Sequence, residues 1–202
     1  MAPSGTSARI LDASIEAFGT RGYGSTSLDE IARDLGVRKQ TILYWFPSKE
    51  ALLGACLDAA ALELASELES ALTGTAAGWP RIEALLRRAF RVTARRPAIV
   101  GLLREADRLG PPASTRLVER LAPLVDRARV WLAAEMAAGR LARHDPDAVV
   151  LAAYSMLTGL AVEVETQRAL GMPTALRDLV RRERSVERLL RAALAPDGQN
   201  PG

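Results

Sequence analysis

The sequence predicts an all-α protein built from about nine helices. The alternating β-branched runs that mark strands are missing, whereas Ala, Leu, Arg and Glu dominate the chain. Glycine and proline recur at intervals that suit helix ends. With 202 residues, 49% of them hydrophobic, the chain can bury a core without disulfides. We therefore expect a small N-terminal helical unit followed by a larger helical domain.

The first predicted helix covers about residues 7–19. Ile10 and Phe18 belong to its apolar stripe, which recurs at the three- and four-residue steps of a helix face. Gly19 and Gly22 follow the stripe and are expected to end the helix, because glycine readily leaves the helical conformation.

Two more short helices follow. Ser27 and Glu30 have the spacing of a capping box, which satisfies two of the free N–H groups at a helix start, and they begin the second helix. Gly36 ends that helix in a tight turn. The third helix covers about residues 38–45 and stops before Pro47.

Six longer helices are predicted in the rest of the chain. Ser48 is a suitable N-cap for the fourth, and Asp145 followed by Pro146 for the eighth. Pro123 lies inside the seventh, which it should kink or split because it removes one backbone hydrogen bond. The predicted ranges are 49–72, 81–95, 97–109, 114–138, 146–169 and 174–194.

The composition excludes several classes of protein. Cys56 is the only cysteine and His144 the only histidine, so we expect no intrachain disulfide, no metal site and no catalytic triad. Glycine-rich phosphate-binding patterns are missing, and no signal peptide is recognisable. The longest nearly apolar run, Val149–Val162, is too short to span a bilayer. The sequence predicts a cytoplasmic protein that is not an enzyme and has no cofactor.

The net charge of +3 does not by itself indicate a nucleic-acid partner. Residues 1–50 contain six basic and six acidic side chains, so the N-terminal region is neutral. Only a local argument remains, since Arg38, Lys39 and Lys49 are positive and no acidic residue lies between positions 35 and 49.

The second and third helices, with the turn between them, form a helix-turn-helix pattern, whose second helix can enter the DNA major groove. On a helical wheel Ile42 faces the core, whereas Gln40, Thr41 and Tyr44 face outward. Glutamine can bind adenine, and threonine can contact the thymine methyl group. Lys49, in the first turn of the fourth helix, is expected near a phosphate. One alternative is an ordinary helical hairpin that does not bind DNA. Another is that the aromatic cluster Tyr44-Trp45-Phe46 belongs to the core.

Several short motifs occur in a fixed order between Ile10 and Leu53. They are Ala17-Phe18, Arg21-Gly22-Tyr23, Thr26-Ser27, Ile31-Ala32, Gly36-Val37, Thr41-Ile42 and Phe46-Pro47-Ser48-Lys49-Glu50. In order and spacing this stretch resembles the DNA-binding domain of the TetR family of transcriptional regulators. The resemblance covers about a quarter of the chain.

The resemblance implies a helix-turn-helix domain over residues 1–48 and a ligand-binding and dimerisation domain over residues 49–202. Within the first, either Ser27 or Thr26 would contact phosphate. The sequence departs from the family at Leu43, where tyrosine is frequent, and at Gln40, where glycine is frequent. The DNA-contacting residues that the resemblance and the wheel together predict are Thr26, Ser27, Arg38, Lys39, Gln40, Thr41, Tyr44 and Lys49.

The resemblance also implies a homodimer joined through the last two helices, bound to an inverted-repeat operator in double-stranded DNA and released by a small-molecule ligand. Independently, the eighth helix is apolar nearly all round and rich in small residues, so it needs burial on more than one side. The alternatives are a ligand-independent or activating regulator, and an all-α interaction protein that no longer binds DNA.

The ligand itself is not identified by the sequence. Pocket candidates are chosen because ligand sites are mostly apolar with a few polar anchors; they are Phe90, Glu105, Trp131, Tyr154 and Thr158. The aromatic members could instead be ordinary core residues, and the glutamate could be solvated or paired. An arginine cluster on the fifth helix could attract an anion, although a solvated basic face is the simpler interpretation.

Overall fold

The computed structural model describes residues 5–74, 76–162, 171 and 176–196. Within these residues the chain is all-helical, as predicted, and none of the helices is long and apolar enough to cross a bilayer. The helices are α1 (Thr6–Arg21), α2 (Leu28–Leu35), α3 (Lys39–Trp45), α4 (Lys49–Leu72), α5 (Trp79–Arg95), α6 (Pro97–Leu109), α7 (Ala113–Ala137), α8 (Pro146–Val162) and α9 (Leu176–Leu194). The part of the predicted eighth helix beyond Val162 lies outside the described residues.

The helix starts that the sequence marks with polar caps are confirmed. The backbone N–H of Glu30 donates to Ser27 Oγ at 3.2 Å, and the backbone N–H of Ser27 donates to Glu30 Oε2 at 2.6 Å. Gly36 ends α2 in the left-handed conformation with φ of 68°, which favours glycine. Ser48 Oγ accepts the N–H of Ala51 at 3.0 Å at the start of α4. These short-range interactions set where α2 begins and ends and where α4 begins.

Of the two outcomes predicted for Pro123, a split of the seventh helix is wrong, since α7 continues through this residue. A kink at Pro123 stays a prediction. Leu117 and Leu124, on either side of the proline, are both buried. Burial of apolar side chains on both sides stabilises the helix against the loss of one backbone hydrogen bond.

The chain forms two compact units whose limits differ from the functional boundary predicted after residue 48. Unit 1 contains residues 1–64 and 95–122, and unit 2 contains residues 65–94 and 123–202. Unit 1 therefore combines α1, α2 and α3 with α6 and with parts of α4 and α7. Its largest fully buried side chains are Phe18, Ile10, Ile31, Ile42, Leu52, Leu57, Ile99, Leu102, Leu103, Leu117 and Val100.

Helices α1 and α6 touch through their backbones at two glycines in unit 1. A Cβ atom on Gly101 would overlap the carbonyl oxygen of Gly19 and would lie 2.9 Å from its carbonyl carbon. A Cβ atom on Gly19 would lie 2.7 Å from the carbonyl carbon of Ala98. The prediction that Gly19 helps to end the first helix is therefore wrong: α1 continues to Arg21, and Gly19 allows α6 to approach.

Unit 2 has a separate core cluster of Ile82, Leu132, Met136, Leu141 and Leu194. Beside it, the buried carboxylate of Glu135 accepts the N–H of Gly78 at 2.7 Å. The Arg140 guanidinium donates to the same carboxylate at 2.7 and 2.9 Å. These hydrogen bonds, above all those from Arg140, lower the pKa of Glu135 to about 2, so this carboxylate is ionised at neutral pH.

Candidate nucleic-acid interface

The outer face of α3 carries the polar and aromatic side chains that the helical wheel predicted there. Ile42 is fully buried, whereas Tyr44 is 80% exposed and Gln40 is exposed. Thr41, beside them, is half-buried. The buried residue packs α3 into the core of unit 1, so the opposite face presents an amide and a phenol to solvent.

Trp45 is a further candidate that the sequence analysis did not select. Its side chain is 40% exposed, and its ring meets that of Tyr44 edge to face, with centroids 5.3 Å apart. Such edge-to-face pairs are favourable arrangements of aromatic rings. Trp45 follows Tyr44 by one step of about 100° on the helix, and this angular position beside the outward face could have identified it as a candidate from the sequence. The aromatic cluster is thus an exposed feature of α3 at both positions.

Two predicted basic contacts lie at the start of α3 and differ in their surroundings. Arg38 precedes the helix and is exposed. Lys39 Nζ lies 2.8 Å from Asp29 Oδ2 of α2, and the two side chains are 41% and 61% exposed. An exposed ion pair of this kind is weak, so Lys39 can exchange the carboxylate for another anion at small cost.

Of the two alternative phosphate contacts at the start of α2, only one reaches the surface. The hydroxyl of Thr26 is buried and donates to the carbonyl of Gly22 at 2.9 Å. Ser27 is exposed, although its hydroxyl already accepts the N–H of Glu30. The geometry does not support a direct contact through Thr26, because its side chain holds the turn that precedes α2.

Lys49 is half-buried and has two partners inside the protein. Its Nζ donates to the carbonyl of Tyr23 at 2.6 Å and lies 4.1 Å from the centroid of the Tyr23 ring. The Tyr23 hydroxyl donates to Glu50 at 2.9 Å, and burial together with this carboxylate raises the pKa of Tyr23 to about 12. Lys49 and Glu50 therefore attach the start of α4 to the loop between α1 and α2.

Glu105, predicted as a ligand contact, lies in unit 1 and fixes the same loop from α6. Its Oε1 accepts the backbone N–H of Tyr23 at 2.7 Å, and the Arg108 guanidinium donates to both of its oxygens at 2.7 Å. The Arg108 side chain lowers the pKa of Glu105 despite the burial of this carboxylate. The contact joins residues 82 positions apart, so no local sequence pattern could have indicated it.

The other four ligand candidates lie in unit 2. Phe90, Trp131 and Tyr154 are half-buried, and Thr158 is buried. The hydroxyl of Thr158 donates to the Tyr154 carbonyl at 3.0 Å, so it serves its own helix. Glu105 thus belongs to unit 1 and the other four candidates to unit 2, and a ligand role for each stays a prediction.

Three arginines on or next to α5 have acidic partners. Arg87 lies 3.0 Å from Glu83, and Arg88 lies 3.7 Å from Glu67. Arg96 lies 3.2 Å from Asp12. These pairs support the simpler interpretation of this region as a solvated, ion-paired face.

The family model described as bacterial regulatory proteins of the tetR family matches residues 10–56. A curated relative is the HTH-type transcriptional regulator RutR of Escherichia coli (strain K12), which is 48% identical over 48 residues. These residues make up 24% of this chain and 23% of RutR, so the chain matches less than a quarter of the length of this relative. The segment matched by the family model contains α2, α3 and the start of α4.

Solved structures show the same fold over nearly the whole chain. A bacterial regulatory protein in the tetR family from Rhodococcus RHA1 superposes with a TM-score of 0.78 at 22% identity, covering 96% of this chain and all of that one. The TetR family transcriptional regulator PfmR from Thermus thermophilus has a TM-score of 0.73 at 21% identity, covering 90% of this chain and 96% of PfmR. The all-helical fold predicted from the sequence is confirmed.

Proposed function

Since the chain is a member of the TetR family of bacterial regulatory proteins, we propose that it is a DNA-binding transcriptional regulator that reads an inverted repeat as a homodimer. One observation carries the proposal: within the matched helix-turn-helix, α3 buries Ile42 and exposes Gln40, Tyr44 and Trp45. A helix held in this way can enter the major groove with polar and aromatic groups against the bases.

The homodimer is proposed because α8 and α9 each expose apolar side chains in the single chain. Leu151 of α8 is 65% exposed and Leu189 of α9 is 68% exposed. These side chains are available for contact with a second copy, and contiguous apolar patches mark interfaces between subunits. Two copies joined there would hold two α3 helices for successive major grooves, which lie roughly 34–36 Å apart.

We further propose that the regulator is a repressor that a small molecule releases from DNA. A ligand achieves this when it binds more tightly to a form of the dimer with the wrong spacing of the two α3 helices. The regulator would be ligand-independent or activating if no small molecule releases it from DNA.

The direct test is a selection from a random duplex DNA library with the purified protein at about 0.15 M salt. We expect enrichment of an inverted repeat, whose half-site spacing then gives the distance between the two α3 helices. If no sequence is enriched, the selection is repeated with cell extract, which can supply a missing ligand. If again no sequence is enriched, the DNA-binding proposal is wrong, and an all-α interaction protein becomes the better hypothesis.

Replacing Gln40 by alanine is expected to change sequence preference at one base pair of each half-site. A bidentate amide contact to a base contributes about 1–3 kcal/mol of discrimination, so the preference there should fall by about that amount. The measurement is the same library selection, with the other positions of the half-site as internal control. An unchanged preference profile would exclude base recognition by Gln40.

Replacing Lys49 by alanine is expected to weaken binding to all DNA sequences. The ammonium group has three N–H donors and can contact a phosphate while it keeps the Tyr23 carbonyl. Loss of one phosphate contact should reduce the slope of log affinity against log salt by about 0.9. The slope is measured by fluorescence anisotropy over a salt series, with the exposed Arg87→Ala as control for a lost charge elsewhere. Weaker binding with an unchanged slope would mean that Lys49 acts only through the loop.

A further inference from the structure

Asp29, in the first turn of α2, binds the ammonium group of Lys39, the first residue of α3. Lys39 Nζ donates to Asp29 Oδ2 at 2.8 Å, so one ion pair joins the two helices of the helix-turn-helix across ten positions of the chain. Asp29 is exposed and Lys39 is half-buried. An anion from outside the protein can therefore reach the pair.

The other two carboxylates of α2 have different partners. Glu30 accepts the backbone N–H of Ser27 at 2.6 Å and completes the capping box of its own helix. Asp34 lies 3.4 Å from Arg21, at the end of α1. Asp29 is not part of the capping box, and its hydrogen-bond partner is a side chain of α3. Of the α2 carboxylates, it is Asp29 that contacts the helix proposed to enter the major groove.

Of the three predicted basic contacts to DNA, Lys39 alone forms an ion pair within the described part of the chain. Arg38 is exposed, and Lys49 donates to the uncharged carbonyl of Tyr23 at 2.6 Å. Removing the carboxylate of Asp29 therefore changes the ion pairing of one predicted contact and leaves that of the other two as it is.

The location of this carboxylate matters because the first helix of a helix-turn-helix crosses the DNA backbone while the second enters the major groove. In that arrangement, a side chain of α2 that contacts the start of α3 lies near the phosphates. A phosphate that approaches Lys39 also approaches the carboxylate of Asp29, and like charges repel each other. The ammonium group has three N–H donors, but one positive charge would then face two anions.

We propose that Asp29 is a positioning residue that competes with DNA phosphate for Lys39 and thereby lowers the affinity for every DNA sequence. The inference rests on the proposed DNA-binding function. A phosphate contact carries no sequence information, so Asp29 acts on the electrostatic part of binding and not on base recognition by Gln40. Salt weakens the ion pair together with the phosphate contact, so the pair also reduces the salt dependence of DNA binding.

The ion pair is tested first without DNA, because the chain contains two lysines, Lys39 and Lys49. Lysine labelled with ¹³C at Cε gives one NMR signal for each, and Lys39→Met assigns them. We expect Asp29→Asn to move the Lys39 signal, whereas the signal of Lys49, which is bound to the Tyr23 carbonyl, stays in place. If the Lys39 signal does not move, the two side chains are not paired in solution and the proposal is wrong.

Asp29→Asn is expected to tighten DNA binding by about two- to fivefold, the range that an exposed ion pair can account for. The gain should be equal for the selected operator and for an unrelated duplex, and it should be largest at low salt. Fluorescence anisotropy over a salt series should give a slope of log affinity against log salt that is steeper by up to about 0.9. Asp29→Glu keeps the carboxylate and should stay close to the wild type.

Asp34→Asn is the matched control, because it removes a carboxylate of comparable exposure from an ion pair on the same helix. It should change the affinity by well under twofold. In a Lys39→Met background, Asp29→Asn should lose most of its effect. The proposal is wrong if Asp34→Asn tightens binding equally, if Asp29→Asn keeps its full effect without Lys39, or if Asp29→Asn weakens binding.

The same measurements separate this inference from the proposed function. If the wild type binds the operator and Asp29→Asn leaves affinity and slope unchanged, the inference alone is wrong. If Asp29→Asn changes the preferred bases in the library selection, the pair takes part in base recognition, so competition for phosphate is wrong and the regulator stands. If neither protein binds any duplex, the DNA-binding proposal is wrong and the inference with it.

Discussion

Gly101→Ala is expected to lower the stability of the protein by about 2–4 kcal/mol, because the new methyl group overlaps the backbone of Gly19. A backbone carbonyl cannot move aside like a flexible side chain, so α1 and α6 must separate along their contact. Alanine is intrinsically the better helix former by about 1 kcal/mol, so any loss of stability comes from the packing. In thermal unfolding followed by circular dichroism, the melting temperature should fall by roughly 5–15 °C.

Gly24→Ala is the matched control in the same unit. A Cβ atom there meets no heavy atom within 4 Å, and the stability should change by less than about 0.5 kcal/mol. Equal melting temperatures for the two variants would show that α1 and α6 are not in backbone contact in solution. Since α1 carries the loop that Lys49 and Glu105 hold, Gly101→Ala should also weaken DNA binding at temperatures where the protein is still folded.

Leu189→Glu is expected to dissociate the proposed homodimer, because it places a charge in an apolar interface. Light scattering after size-exclusion chromatography should then give the mass of one chain, 21.7 kDa, instead of twice that value. Operator affinity should fall by about 100-fold or more, since a monomer loses the gain from binding two linked half-sites. Binding to one isolated half-site should remain unchanged, because α3 lies in unit 1.

Val118→Glu is the control for a charge on an exposed apolar position. Val118 is 63% exposed and lies on the part of α7 that belongs to unit 1, whereas α8 and α9 belong to unit 2. We expect this variant to keep the dimer mass and the operator affinity. If Leu189→Glu also keeps both, the dimer does not use this face of α9, and the interface proposed from the last two helices is wrong.

The helix starts and the outward face of α3 could be predicted because they depend on short-range interactions. A capping hydrogen bond, such as the pair between Ser27 and Glu30, joins residues three positions apart. The exposure of Tyr44 and the burial of Ile42 follow from the angular step of a helix. The helical wheel did not predict the exposure of Trp45, because a large apolar side chain is compatible with both a buried and an exposed position.

The internal roles of the site residues could not be predicted. Lys49 is predicted to contact phosphate from its place at the start of the fourth helix and from the resemblance, and Glu105 is predicted as a polar anchor in apolar surroundings. In the folded protein both contact Tyr23, through its carbonyl and its N–H. Backbone groups have no sequence signature, so a side chain that binds one cannot be recognised before the helices are placed.

Caps, turns and periodicity act over three or four residues, so the amino-acid sequence predicts the all-helical fold, the helix starts and the helix-turn-helix with its outward residues. The tertiary structure alone decided that Gly19 and Gly101 bring α1 against α6. The continuation of α7 through Pro123 is a second feature of this kind. These features depend on contacts between residues far apart in the chain, whose free energies exceed the local preferences of glycine and proline and appear only when the helices pack.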